Sequence, residues 1–297
     1  MFQGSITALI TPFRQGELDE KAFQNLVEWQ IAQGTSGLVP CGTTGESPTL
    51  SHDEHQKVVS LCVEAAAGKV PVIAGTGSNS TEEAISLTRH AKKQGVDAVL
   101  LVTPYYNKPT QEGLFQHFKA IHDSVDIPII LYHIPGRSVV EIQVETVIRL
   151  AALPNIVGLK DACADLGRPA RLVAELGDKF CLLSGEDMTA PAFLAQGGVG
   201  CISVTSNVAP RLCADMQEAW RVGDLARFAA LRDQLTPLHH ALFGETSPAP
   251  VKYAASLLGL STDEVRLPLV AASATARKQV EAALVGAGLL SKQKLAI

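Results

Sequence analysis

The runs PIILY (128–132) and IVGLK (156–160) decide the fold class. Both are continuously apolar up to a polar last residue, with no apolar/polar alternation. A strand half exposed to water alternates. A parallel strand covered on both faces does not. Six more runs are likewise apolar without alternation: TALIT (7–11), GLVPC (37–41), PVIAG (71–75), AVLLV (98–102), FCLLS (180–184) and GCISV (200–204). Amphipathic stretches of helical period lie between them. Ser51, Ser80 and Thr110 stand where helix N-caps belong, and Ser80 with Glu83 has capping-box spacing. Gly68 and Gly95 stand where C-caps belong. Eight strands, each followed by a helical stretch, are what a closed (β/α)8 barrel requires. The predicted class is therefore an α/β TIM barrel. After residue 205 only helical patterns continue, to about residue 288. Residues 1–224 are predicted to form the catalytic barrel, and residues 225–297 a helical region packed on it.

The chain has 297 residues, 46% hydrophobic and 19% charged, with a net charge of −5. That suits one barrel with a large core. A pI near 5.9 gives no bulk attraction to nucleic acid or to an anionic membrane. No apolar run reaches the ~18 residues of a membrane span, and no basic leader precedes an apolar stretch at the N-terminus. A cytoplasmic location is expected. The six cysteines form no CxxC pair and are expected as small buried hydrophobes in a reducing compartment.

Active sites of such barrels gather at the C-terminal ends of the strands. Those positions hold Gly42-Thr43-Thr44-Gly45-Glu46-Ser47, Gly75-Thr76-Gly77-Ser78-Asn79, Thr103-Pro104-Tyr105-Tyr106-Asn107, Tyr132-His133-Ile134-Pro135-Gly136-Arg137, Lys160 and Gly185-Glu186-Asp187. Three of the chain's four tyrosines are among them. Lys160 closes an apolar strand. Burial disfavours an ammonium, and a neutral amine attacks a ketone to form a Schiff base, whose iminium is an electron sink for carbon–carbon bond chemistry. A structural lysine paired with a carboxylate is the competing reading. The 42–46 loop offers glycine-flanked amides and threonine hydroxyls to an anion; a plain strand-to-helix turn is the alternative. It is no Walker motif, and Gly75-x-Gly77 lacks the third glycine of a dinucleotide fingerprint, so no nucleotide cofactor is implied. Tyr132, Tyr106 and Thr44 carry hydroxyls on three strands and suit a proton relay, or are core residues with satisfied hydroxyls. Arg137 lies in a Pro-Gly loop and suits a substrate carboxylate, or is simply solvated. His52 and His55 with Glu83 lack a close third ligand, so no metal is expected.

Taken together, GTTGESPTL, GTGSNSTEEAI, TPYYNKPTQEGLFQHF, ILYHIPGR, IVGLKDA, LLSGED and PAPVKYA resemble the dihydrodipicolinate synthase family, in order and over nearly the whole chain. The resemblance implies a lyase that condenses pyruvate with L-aspartate 4-semialdehyde, in lysine and diaminopimelate biosynthesis, without a cofactor. It implies Lys160 as the Schiff-base lysine, Tyr132 as the proton shuttle, and Thr44 and Tyr106 as relay partners, Tyr106 being donated across a dimer interface. Thr43 and Thr44 amides would hold the pyruvate carboxylate, Arg137 the carboxylate of the semialdehyde, and Gly185 and Ile202 complete the substrate-binding set. A homotetramer, a dimer of dimers, is implied. So is an allosteric L-lysine site made by Ser47, His52, His55, Asn79, Glu83 and Tyr105. Two positions depart from the family pattern: His133 stands in place of Asn after the tyrosine, and Ser247 in place of Asn before Pro-x-Pro.

Two rivals remain at this point. One is a pyruvate aldolase of the wider superfamily that cleaves a 2-keto-3-deoxy sugar acid or N-acetylneuraminate; Arg137 and the paired tyrosines argue against it. The other is a silent amino-acid-binding protein, which has no reason to keep Lys160, Tyr132, Thr44, Tyr106 and Arg137 together.

Overall fold

The computed structural model describes residues 2–291 and 293. Residues 292 and 294–297, the end of the predicted C-terminal region, lie outside the described residues. The fold is of the predicted (β/α)8 class. Its parallel strands are β1 (Gly4–Ala8), β2 (Gly37–Val39), β3 (Ile73–Gly75), β4 (Ala98–Val102), β5 (Ile129–His133), β6 (Ile156–Asp161), β7 (Cys181–Ser184) and β8 (Gly200–Ser203). A helix follows each: α1 (Glu20–Ala32), α2 (His52–Ala66), α3 (Thr81–Gln94), α4 (Gln111–Ser124), α5 (Val144–Ala151), α6 (Gly167–Leu176), α7 (Ala190–Ala195) and α8 (Pro210–Arg221). Three more, α9 (Leu225–Leu242), α10 (Ala249–Leu257) and α11 (Ala274–Gly286), form the C-terminal appendage. Among the described residues no helix is long and apolar enough to cross a membrane.

Internal packing divides the chain into two units. One runs from Pro71 to Ile202 with residues 2–3. Here β3 to β8 pair in sequence order, all parallel. The register sets Tyr132 beside Lys160, and His133 beside Asp161. Successive strand residues point to opposite faces, so these two rungs face opposite ways.

The other unit comprises Gly4–Val70 and the chain from Ser203 onward. Ile6 pairs with Gly37 and Ala8 with Val39 between β1 and β2. Buried polar groups tie the unit together: Gln30 accepts from Thr7 Oγ1 at 2.8 Å and donates to Ser206 O at 2.9 Å. Asn207 accepts from the Ile10 amide at 3.0 Å and donates to Ala8 O at 2.7 Å.

The apolar runs located every strand, with ends shifted where burial outlasts pairing. β1 ends at Ala8 rather than Thr11. Leu9 and Ile10 are still fully buried, but the Ile10 amide has already left the ladder for Asn207. Ser51, Ser80 and Thr110 each cap a helix. The reciprocal capping box forms at Ser51 and Glu54. Glu83 N–H donates to Ser80 Oγ, while the Glu83 carboxylate accepts a hydrogen bond from Ser78. Gly95 is a left-handed C-cap, as expected. After α2 the cap itself is Ala67, and Gly68 follows it with φ +70°. All six cysteines are free; five are buried and Cys163 half-buried.

Candidate active site

The first unit builds its site on the last rungs of β5 and β6. Adjacent parallel strands lie about 4.8 Å apart, so in-register side chains on one face must touch. Lys160 Nζ lies 4.0 Å from the centroid of the Tyr132 ring. Both residues are nearly buried, at 6% and 5% exposure. Gly185, at the end of β7, makes room for the lysine stem: a Cβ there would come within 2.9 Å of Lys160 Cε and 2.8 Å of Ala162 Cβ. Gly185→Ala is therefore expected to leave the fold intact while displacing the amine, lowering kcat/KM by roughly 10²-fold. Steady-state assays beside circular dichroism check this; an unchanged rate in a folded variant contradicts it. Beyond Gly185, burial raises the Glu186 carboxyl above its ordinary value, against the Met188 amide that donates to it and the nearby Lys160.

On the opposite face of the same strands lies a charge cluster that the sequence reading missed. Asp161 Oδ1 faces His133 Nδ1 at 3.2 Å and accepts from the Cys163 amide at 3.0 Å. Asp161 Oδ2 accepts from Arg168 Nε at 3.0 Å. Arg168 also donates to Ile142 O at 2.9 Å, which ties the loop after β5 to the end of β6. His133 Nε2 is buried and has no hydrogen-bond partner among the described residues. The signal was available: Asp161 follows a strand-end lysine and so had to face the other way. His133, Asp161 and Cys163 offer donor atoms within 4.8 Å of one another. Their chemistry does not fit a metal ion. Arg168 already supplies the positive charge on Asp161, and burial with the Asp161 charge pushes the Cys163 thiol up to about 12.

Burial opposes the charge on Asp161, but the His133 hydrogen bond and charge, Cys163 and Arg168 hold its carboxyl well below the ordinary 3.8. A depressed pKa stabilises the fold above the ordinary value, and that contribution is lost as pH falls below it. Asp161→Asn leaves the buried Arg168 with only the exposed Glu141 carboxylate as counter-charge, at 3.5 Å, which costs about 3 kcal/mol near neutrality, the low end for breaking a buried pair. The stability gap between the parent chain and this variant is expected to narrow as pH drops below 3.8. Denaturant unfolding across pH measures it; a gap that widens on acidification contradicts the assignment.

The remaining candidates of this unit sit on its loops. Arg137 occupies a single helical turn, Pro135–Ser138, and its side chain is exposed. The backbone beneath it is held: Arg137 N donates to Ile134 O at 3.0 Å, and Ser138 Oγ donates to Ile134 O at 3.0 Å and Val140 O at 3.1 Å. Tyr106 is 89% exposed, and its φ of +72° lies in the left-handed region. An aromatic side chain is uncommon there. Asn79 holds the turn from the side, donating to Tyr105 O at 3.2 Å and accepting from Asn107 Nδ2 at 2.9 Å. Glu83, at the start of α3, is half-buried, and Ile202, in β8, is buried.

In the second unit, Thr43 and Thr44 lie in the turn after β2, and Thr44 is 5% exposed. The amides of Gly45, Glu46 and Ser47 close this turn onto Thr43 O and Gly42 O. Among the described residues the amides of Thr43 and Thr44 donate to no protein oxygen. Successive backbone N–H groups in a turn are groups of the kind that bind anions. Ser47 follows in a 3-10 turn; His52 opens α2 and is exposed, while His55 is buried on the same helix.

These features define a (β/α)8-barrel enzyme with a buried amine set against a phenol at strand ends. Residues 1–287 match the dihydrodipicolinate synthetase family. The 4-hydroxy-tetrahydrodipicolinate synthase of Rhodospirillum centenum is 69% identical over 291 residues, 98% of this chain and 100% of that protein. The dihydrodipicolinate synthase of Acinetobacter baumannii, chloride-inhibited and solved with pyruvate, superposes with a TM-score of 0.95 at 46% identity, covering 98% and 100%. The enzyme of Cyanidioschyzon merolae, solved with lysine bound, gives a TM-score of 0.95 at 40% identity, covering 97% and 99%. The chain belongs to the dihydrodipicolinate synthetase family. Its function is that of the 4-hydroxy-tetrahydrodipicolinate synthases, and the sugar-acid aldolase alternative is set aside.

Proposed function

We propose that the chain condenses pyruvate with L-aspartate 4-semialdehyde through a Schiff base on Lys160. The observation that carries this is the buried Lys160 amine 4.0 Å from the Tyr132 ring. The neutral amine attacks C2 of pyruvate, and water leaves as the iminium forms. Loss of a C3 proton gives the enamine, with the electron pair drawn toward nitrogen. The enamine carbon attacks the aldehyde carbon, whose oxygen takes a proton and remains as the hydroxyl. The amino group of the second substrate then replaces Lys160 at C2, closing the ring and freeing the enzyme. One water is lost overall.

Tyr132 moves protons in these steps, with Thr44 and Tyr106 as its relay. The exposure and left-handed backbone of Tyr106 support its donation to a second subunit, within a homotetramer built as a dimer of dimers. Thr43 and Thr44 amides hold the pyruvate carboxylate, and Arg137 receives that of the semialdehyde. Gly185 and Ile202 shape the substrate pocket. Residues 1–224 act as the catalytic barrel and 225–297 as its helical appendage, in the cytoplasm. The lysine-bound relative supports L-lysine as an effector held by Ser47, His52, His55, Asn79, Glu83 and Tyr105.

A coupled assay tests the reading. Pyruvate, L-aspartate 4-semialdehyde, the downstream reductase and NADPH are mixed with the protein. Pyruvate-dependent NADPH loss is expected. No loss, with pyruvate still trapped by borohydride, would move the second substrate to another aldehyde.

A further inference from the structure

The second unit contains a fully buried ion pair that the reaction scheme leaves unused. Glu46 ends the 42–46 turn with a left-handed φ of +55°. Its Oε1 lies 2.6 Å from Lys252 Nζ on α10, and neither side chain is exposed. Its Oε2 accepts from the Arg266 amide at 3.0 Å. The Lys252 ammonium lies 4.2 Å from the centroid of the Phe13 ring, as does the Arg266 guanidinium. Arg266 reaches onward, donating to Thr49 O at 3.0 Å and to both carboxylate oxygens of Glu54 at 2.6 and 2.8 Å. On the turn's other side, Thr11 Oγ1 donates to Gly45 O at 2.7 Å. A Cβ on Gly45 would lie 3.1 Å from Leu9 O.

A buried ion pair is a poor source of net stability, because desolvation offsets the attraction. What it does supply is position: a dry carboxylate with both oxygens engaged has one place to be. Glu46 is two residues from Thr44, so fixing its carboxylate fixes the turn that presents the Thr43 and Thr44 amides. Sequence distance hid the link: Lys252 lies 206 residues from Glu46.

We propose that Lys252 is a positioning residue for the substrate. Through Glu46, and with Arg266, it aligns the Thr43 and Thr44 amides on the carboxylate of a small 2-oxo acid. The inference rests on the reading of that turn as the pyruvate-carboxylate site. It makes the C-terminal helices part of the substrate-binding apparatus rather than a covering layer.

The test compares pyruvate with methyl pyruvate, which keeps the ketone but not the carboxylate charge. Borohydride trapping on the full-length protein gives the half-saturating concentration of each. The parent chain is expected to favour pyruvate. The charge-free double variant Glu46→Gln/Lys252→Met, which leaves no lone buried charge, is expected to lose about tenfold of that preference. Its KM for L-aspartate 4-semialdehyde should stay within about twofold, a split that general destabilisation would not give. Glu46→Asp keeps both charges but shortens the reach by one methylene. It is the second variant should the first not fold, and should lose preference in the same direction. A parent that prefers pyruvate, with folded variants that keep the whole preference, overturns the role of Lys252. A parent with no preference overturns the carboxylate reading of the turn, and the proposal with it.

Discussion

Lys160→Ala is expected to abolish the reaction, with kcat falling by at least about 10⁴-fold and no pyruvate retained after borohydride. The size follows from the role proposed for the amine. Without the iminium no electron sink forms, the C3 proton keeps its ketone acidity, and no other group substitutes. Lys160 is 6% exposed and its stem packs against Gly185. Alanine leaves a cavity that lowers stability by a few kcal/mol at most. Loss of activity with a retained far-ultraviolet spectrum therefore separates chemistry from unfolding. Trapped pyruvate in this variant would place the Schiff base on another amine.

Tyr132→Phe carries the second largest effect, a fall in kcat of about 10²- to 10⁴-fold, the range of a lost general acid–base group. The substitution keeps the ring that packs under Lys160 Nζ and removes only the hydroxyl. Equilibrium retention of pyruvate on Lys160 should persist, formed more slowly. Rapid-quench trapping distinguishes the two: slow adduct growth to a full endpoint supports the shuttle, whereas an unaltered rate throughout makes Tyr132 a packing residue.

The sequence was informative where one residue's neighbours in the chain determine its surroundings. Lys160 and Tyr132 close apolar runs, and two strand ends in a parallel sheet must lie at the same edge. The caps at Ser51, Ser80 and Thr110 were legible because a cap is a local hydrogen bond. The site's support was not legible. Asp161 meets His133 and Arg168 only through strand register and helix packing, and Glu46 meets Lys252 across most of the chain. One clue remained: Lys252 stands alone in the apolar run PAPVKYAA, and lysine is almost never fully buried without a partner. Where Glu83 directs its carboxylate was equally hidden, since Ser78 competes with the cap at Ser80.

The most direct measurement is peptide mapping of the protein after reaction with pyruvate and borohydride. One pyruvyl adduct per chain is expected, on the peptide that carries Lys160. An adduct confined to any other lysine, or none at saturating pyruvate, would contradict it.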